Sequence, residues 1–169
     1  MVLKMAKKHI KVLSINGGGI RGYIPALILD KISKESGKNI TELFDIVIGT
    51  SIGGLLAAAY TTPAQLNNIK AGPKFNTSDV LNLMLANRYA LFPQDKQSSQ
   101  LTAAKYPRDG IDNFLYKELS YNGKPILLKD TVLPIAVTTL NDINNEPQIW
   151  TSCSKRFANY TVADAVGAT

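Results

Sequence analysis

Residues Phe44 to Tyr60 read FDIVIGTSIGGLLAAAY, and this stretch restricts the fold more than any other. Phe44 to Ile48 is a short apolar run suited to a buried parallel strand, and Ile52 to Tyr60 reads as a helix stopped by Thr61-Thr62-Pro63. Between them lies Gly49-x-Ser51-x-Gly53, a serine on a strand-to-helix turn so sharp that only small neighbours fit. Such a turn pushes the hydroxyl out of the fold and sets the next helix N-terminus beneath it.

The same strand-turn-helix order occurs once more, upstream. His9 to Ile15 reads as a strand that runs through Asn16 into the glycine turn Gly17-Gly18-Gly19-Ile20-Arg21-Gly22. Tyr23 to Ser36 then puts Ile24, Leu27, Ile28 and Ile32 on one helical face, with Gly37 where a C-terminal cap belongs. Further helices are expected over Asp79–Asn87 and Ile111–Leu119, further strands over Val132–Thr138 and Gln148–Ser152, and a helix start at Thr161 with Asp164 three residues on. The alternation predicts an α/β fold, a parallel sheet covered by helices, in one domain over residues 1–169 without repeats. Asn87 to Gly110, with Tyr89, Leu91 and Phe92, is too long for a simple connection and reads as a lid or as an ordinary disordered loop.

The glycine turn admits several chemistries. Gly17-x-Gly19-x-x-Gly22 matches the dinucleotide fingerprint, but that reading needs an acid at the end of the second strand, where this chain has Gly49-Thr50-Ser51 and only Asp45 near the strand's start. Nucleotide binding is therefore the least favoured reading. Three glycines at a helix N-terminus also leave unobstructed N–H groups that suit an anion or an oxyanion, or simply let strand and helix pack closely. Both motifs sit at C-terminal strand ends, the edge where open α/β sheets bind ligands.

A serine hydroxyl is a weak nucleophile until a neighbour takes its proton. The single histidine, His9, falls at the opposite edge of a parallel sheet, which argues against a Ser-His-Asp triad within these residues and points to an aspartate, glutamate or lysine as the base. With one cysteine, Cys153, expected in or near the core, there is no internal disulfide, and no Cys/His cluster suggests a metal. No cofactor is implied. The net charge of +6 includes Lys4, Lys7 and Lys8 of a basic leader, residues 1–8, which no apolar segment follows, so it is not a secretory signal. Ile46 to Tyr60 is shorter than the ~20 residues of a membrane span. The expectation is a soluble protein of unassigned compartment, with scattered basic charge that does not suit nucleic acid.

LSINGGGIRGYIPALIL followed by FDIVIGTSIGGLLAAAY resembles the patatin-like phospholipases, and TVLPIAVTTL and YTVADAVGAT extend the resemblance over nearly the whole chain. It implies a three-layer α/β/α fold and a lipid acyl hydrolase working through a Ser–Asp dyad. Carried over by residue, Ser51 is the nucleophile and the amides of Gly17, Gly18 and Gly19 form the oxyanion hole. Arg21 holds that loop or meets a lipid phosphate, and Gly22, Gly49 and Gly53 support the two turns. Asn16 stands where many members have aspartate. The substrate implied is a phospholipid or other acyl ester, met at a membrane surface transiently. The family's catalytic aspartate belongs to an Asp-Gly-Gly or Asp-Gly-Ala motif that does not occur in these residues. The only Asp-Gly pair, Asp109-Gly110, opens a predicted helix. The expectation is thus a fold incomplete at its C-terminus, with no base of its own and the aspartate supplied by a further segment or a second chain. The alternative is an inactive fragment or lipid-binding module.

Overall fold

The computed structural model describes residues 9–92, 108–141 and 143–169. In chain order the elements are β1 (Val12–Ile15), a 3-10 turn (Gly19–Gly22), α1 (Tyr23–Ser36), α2 (Ile40–Leu43), β2 (Ile46–Gly49), α3 (Ile52–Thr61), α4 (Thr77–Ala86), α5 (Arg88–Leu91), α6 (Asp109–Glu118), β3 (Ser120–Tyr121), β4 (Lys124–Pro125), β5 (Ile135–Asn141), β6 (Glu146–Thr151) and α7 (Val162–Gly167). The fold is α/β, built on an open, mainly parallel sheet of order β1-β2-β5-β6. β1 and β2 pair in parallel from Val12↔Ile46 to Ile15↔Gly49, and β2 and β5 from Val47↔Ile135 to Gly49↔Val137. β6 adds an antiparallel edge.

Local chemistry sets the boundaries. α1 ends at Gly37, which takes the left-handed conformation at φ 65°. Asn76 and Asp79 form a reciprocal capping box that starts α4, and the Thr161 hydroxyl accepts from the Asp164 N–H to start α7. β5 begins at Ile135, three residues later than the sequence suggested. Up to there Val132 donates back to the Thr61 carbonyl and the Pro134 carbonyl accepts from Val47.

α3 is apolar all round and every one of its residues is buried, the pattern of a helix at the centre of a core. It packs on β1, β2 and β5, and α4 and α7 pack against it. The steps β1 to β2 and β2 to β5 run the same way across the sheet, so right-handed crossovers put both connections on one face. Val47, Gly49 and Ile15 point to that face and are buried, whereas on the other face Val12 and Ser14 are exposed and Ile46 and Ile48 only half-buried.

One expectation is corrected, that Cys153 lies in or near the core. The apolar stripe of α1 lies outside the core: Ile24, Leu27 and Ile28 are each more than half exposed, and α1 instead buries Ala26, Leu29 and Asp30. The stripe residues Ile24, Ile28 and Ile32 border an open groove of about 640 Å³ beside Leu13 and Ile15 of β1. Cys153 is exposed, because the chain leaves β6 at Thr151 and turns outward, with the Cys153 N–H donating to Thr151 Oγ1. The expected lid falls largely on residues 93–107, and the basic leader on residues 1–8, both outside the described residues.

Candidate active site

Ser51 occupies the tip of the β2–α3 turn at φ 53°, ψ −124°, a conformation costly to any residue with a Cβ. Glycines permit it. A Cβ on Gly53 would overlap the Ile15 carbonyl, and one on Gly49 would overlap the backbone of Gly53. β1, β2 and α3 therefore meet at backbone contact, and the serine is exposed above them. Thr50, beside it, accepts a hydrogen bond from Thr138 Oγ1 on β5 at 2.7 Å.

The glycine turn stands against this serine. A Cβ on Gly17 would lie 3.2 Å from Ser51 Cβ and 3.2 Å from the Thr50 carbonyl. Gly19 adopts φ 55° and lines the same cavity as Ser51. The amides of Gly17, Gly18 and Gly19 make no hydrogen bond among the described residues. At the head of α3, Gly53 and Gly54 donate back to Thr50 and Ser51, and Ser51 donates to Thr169 Oγ1, while the Ile52 amide has no acceptor among the described residues. Unpaired N–H groups thus flank the Ser51 hydroxyl from two elements, an arrangement suited to an oxygen that becomes negative. Arg21 holds the loop from outside, its amide and Nε both donating to the Gly18 carbonyl at 3.2 and 3.4 Å. It borders the α1 groove and not the Ser51 cavity. Gly22 packs on Ile52, where a Cβ would overlap that side chain.

Ser51 opens into a cavity of about 330 Å³. Its walls are mostly apolar: Ile52 and Leu55 from α3, Leu91 and Phe92 after α4, Ile111 and Leu115 from α6, and Val166 from α7. Arg108, Gly167 and Thr169 complete it. Size and lining suit a small apolar ligand or an acyl chain.

No carboxylate side chain is among the described residues that line this cavity. Asp109 lies exposed in the first turn of α6. Asp112 pairs with Arg108 at 3.4 Å, and Asp164 accepts from Thr161 at 2.6 Å and from the Tyr116 hydroxyl. The Asp164 bond, with burial, pushes the Tyr116 phenol above its ordinary value. His9 is exposed ahead of β1, at the far edge of the sheet. Among the described residues no three His, Cys, Asp or Glu side chains gather to hold a metal, and no helix is long and apolar enough to cross a membrane.

Sequence reasoning missed Thr169 and Thr138, which hold the two residues of the elbow, and Arg108. Nothing local marks them: a lone threonine or arginine carries no motif, and each reaches the site only through the tertiary fold.

The family described as Patatin-like phospholipase has a sequence model that matches residues 13–169. Patatin-like protein 2 of Arabidopsis thaliana is 30% identical, over 92% of this chain and 39% of its own length. Patatin-like protein 2 of Oryza sativa subsp. indica is 31% identical, over 89% of this chain and 38% of its own. Patatin-T5 of Solanum tuberosum is 30% identical, over 84% and 36%. The chain spans about two fifths of the length of these curated relatives.

Proposed function

From the premise that this chain belongs to the patatin-like phospholipase family, we propose that it carries the nucleophile and oxyanion half of a lipid acyl hydrolase. Ser51 Oγ attacks the ester carbonyl carbon while a carboxylate outside the described residues takes the hydroxyl proton. The carbonyl oxygen, now negative, rests against the amides of Gly17, Gly18 and Gly19 and that of Ile52. The tetrahedral species collapses, the ester C–O bond breaks, and the leaving alcohol takes the proton back from the carboxylate. Water then attacks the acyl-Ser51 carbonyl with the same base accepting its proton, and the fatty acid leaves with Ser51 restored. The acyl chain lies in the apolar cavity along Leu55, Leu91, Ile111 and Leu115. No metal or organic cofactor enters these steps.

One observation carries this reading: Ser51 is held at φ 53° beside a glycine turn whose amides have no partner among the described residues, at the mouth of an apolar cavity. A backbone strain of this kind persists only where the surrounding structure enforces it. The test is hydrolysis of p-nitrophenyl butyrate and of phosphatidylcholine vesicles by the protein together with the segment or chain that supplies the carboxylate, with Ser51→Ala as control. Release that depends on Ser51 is expected, and equal rates in the two proteins would sink the proposal.

Among the described residues no carboxylate side chain lines the cavity, and this favours a second reading, a lipid-binding module that keeps the acyl cavity without turnover. Co-sedimentation with anionic vesicles, weakened by salt and without hydrolysis, would select it.

A further inference from the structure

Of the described residues on the wall of the Ser51 cavity, Arg108 alone has a charged side chain. An apolar cavity has no structural use for a guanidinium, and this one is not sealed in the wall, since its side chain is 63% exposed. Both of its polar contacts among the described residues run through one nitrogen. Nη2 donates to the Gly167 carbonyl at 2.9 Å and to Asp112 Oδ1 at 3.4 Å. Nη1 and Nε, the other arms of the fork, have no partner among the described residues. The first contact fixes the guanidinium against α7 at the rim of the cavity, and the longer, half-exposed Asp112 contact is one that a stronger anion can displace.

We propose that Arg108 is a specificity-determining residue that binds the phosphate of a lipid substrate while the acyl chain occupies the cavity, and that Asp112 holds the guanidinium when the site is empty. This rests on the acyl-hydrolase reading of Ser51. An alkyl chain among Leu55, Leu91, Ile111 and Leu115 leaves its polar end at the open side of the cavity, where Ser51 and Arg108 both lie. A planar fork with open donors suits a phosphate, which accepts two parallel N–H bonds, better than a neutral sugar or glycerol head. Arg21, the arginine of the glycine turn, is turned to the Gly18 carbonyl and does not reach this cavity.

The experiment is calorimetric titration with four probes below micelle formation: decyl phosphate, decanoate, decan-1-ol and inorganic phosphate. Decyl phosphate is expected to bind about tenfold more tightly than decan-1-ol, with inorganic phosphate weaker than either. Arg108→Gln closes the gap between the phosphate and the alcohol and leaves the alcohol's affinity in place, and Arg108→Lys closes it partly. Asp112→Asn frees the guanidinium and widens the gap, which loss of a merely structural tie between α6 and α7 would not do. An equal affinity for decyl phosphate and decan-1-ol in the unmodified protein, or a gap that survives Arg108→Gln, overturns the proposal. So does decanoate matching decyl phosphate. Should Arg108→Gln fail to fold, the Asp112→Asn result decides, and an unchanged gap there overturns it. An intact phosphate preference in a protein without Ser51-dependent hydrolysis would leave the anion site standing and remove the hydrolase reading.

Discussion

The backbone N–H of Ser51 donates to Thr169 Oγ1 at 2.9 Å, across 118 positions of sequence. That bond leaves the Ser51 amide paired while the amides of Gly17, Gly18, Gly19 and Ile52 stay open among the described residues, and it ties the second residue after α7 to the tip of the β2–α3 turn. Thr169→Val removes the acceptor at constant volume. It is expected to cost about 0.5–1.5 kcal/mol in denaturant unfolding and to slow Ser51-dependent ester hydrolysis, with Thr169→Ser retaining both. A valine variant indistinguishable from the parent in both measurements would show the bond to be incidental.

Ser51 sits at φ 53°, ψ −124°, where glycine is at ease and alanine is not. Ser51→Gly should therefore be more stable than Ser51→Ala by roughly 1 kcal/mol, although both lose the hydroxyl. Thermal unfolding of the pair reads this directly, and the opposite order would mean that the turn relaxes once the serine is gone.

Gly53 approaches the Ile15 carbonyl so closely that a methyl group has nowhere to go. Gly53→Ala must push α3 off β1, and it is expected to destabilise by about 3 kcal/mol or more, well beyond the loss usual for a surface glycine. Soluble expression with an unchanged unfolding midpoint would contradict the packing described above.

Asp30 is buried on α1 and receives hydrogen bonds from Lys34 Nζ at 2.6 Å, Thr77 Oγ1 at 2.9 Å and Ser78 Oγ at 2.8 Å. The Lys34 bond, helped by the two hydroxyls, outweighs burial and holds the carboxyl below its ordinary range. A depressed folded-state value stabilises above the unfolded value of about 3.9 and stops doing so as pH falls through the folded value below it. Asp30→Asn should therefore lose roughly 1–2 kcal/mol at neutral pH, and the two stability curves should converge as pH falls below about 4. A gap that does not change with pH would assign the loss to packing rather than charge.

Both turns and the helices beyond them were legible in the sequence because their signals are local. Gly37 past Ser36, Thr161 before Asp164 and the glycines around Ser51 each act within a few residues, and α1 runs over the very span the periodicity marks. The placement of Ile24, Ile28 and Ile32 was not legible. Periodicity identifies an apolar face but not what lies opposite it, and here Ala26 and Leu29 face the core while the larger stripe borders β1. Thr138, Thr169 and Arg108 escaped for the same reason: each matters through a partner far away in sequence, and single residues without a spacing rule leave no mark.

The Ser51 cavity is built from two kinds of wall that tolerate change very differently. Behind the serine, Gly49, Gly53 and Ile15 meet without room for one added carbon, so that side can hardly drift. Across from it, Leu91, Ile111, Leu115 and Val166 meet the cavity only with ordinary side chains, and those exchange for one another at modest cost. Under the proposed acyl-hydrolase reading, descendants of such a chain can therefore diverge in the ligand they accept by altering α5, α6 and α7 alone, while the setting of Ser51 is inherited unchanged. Innovation and preservation are assigned to opposite sides of a single cavity.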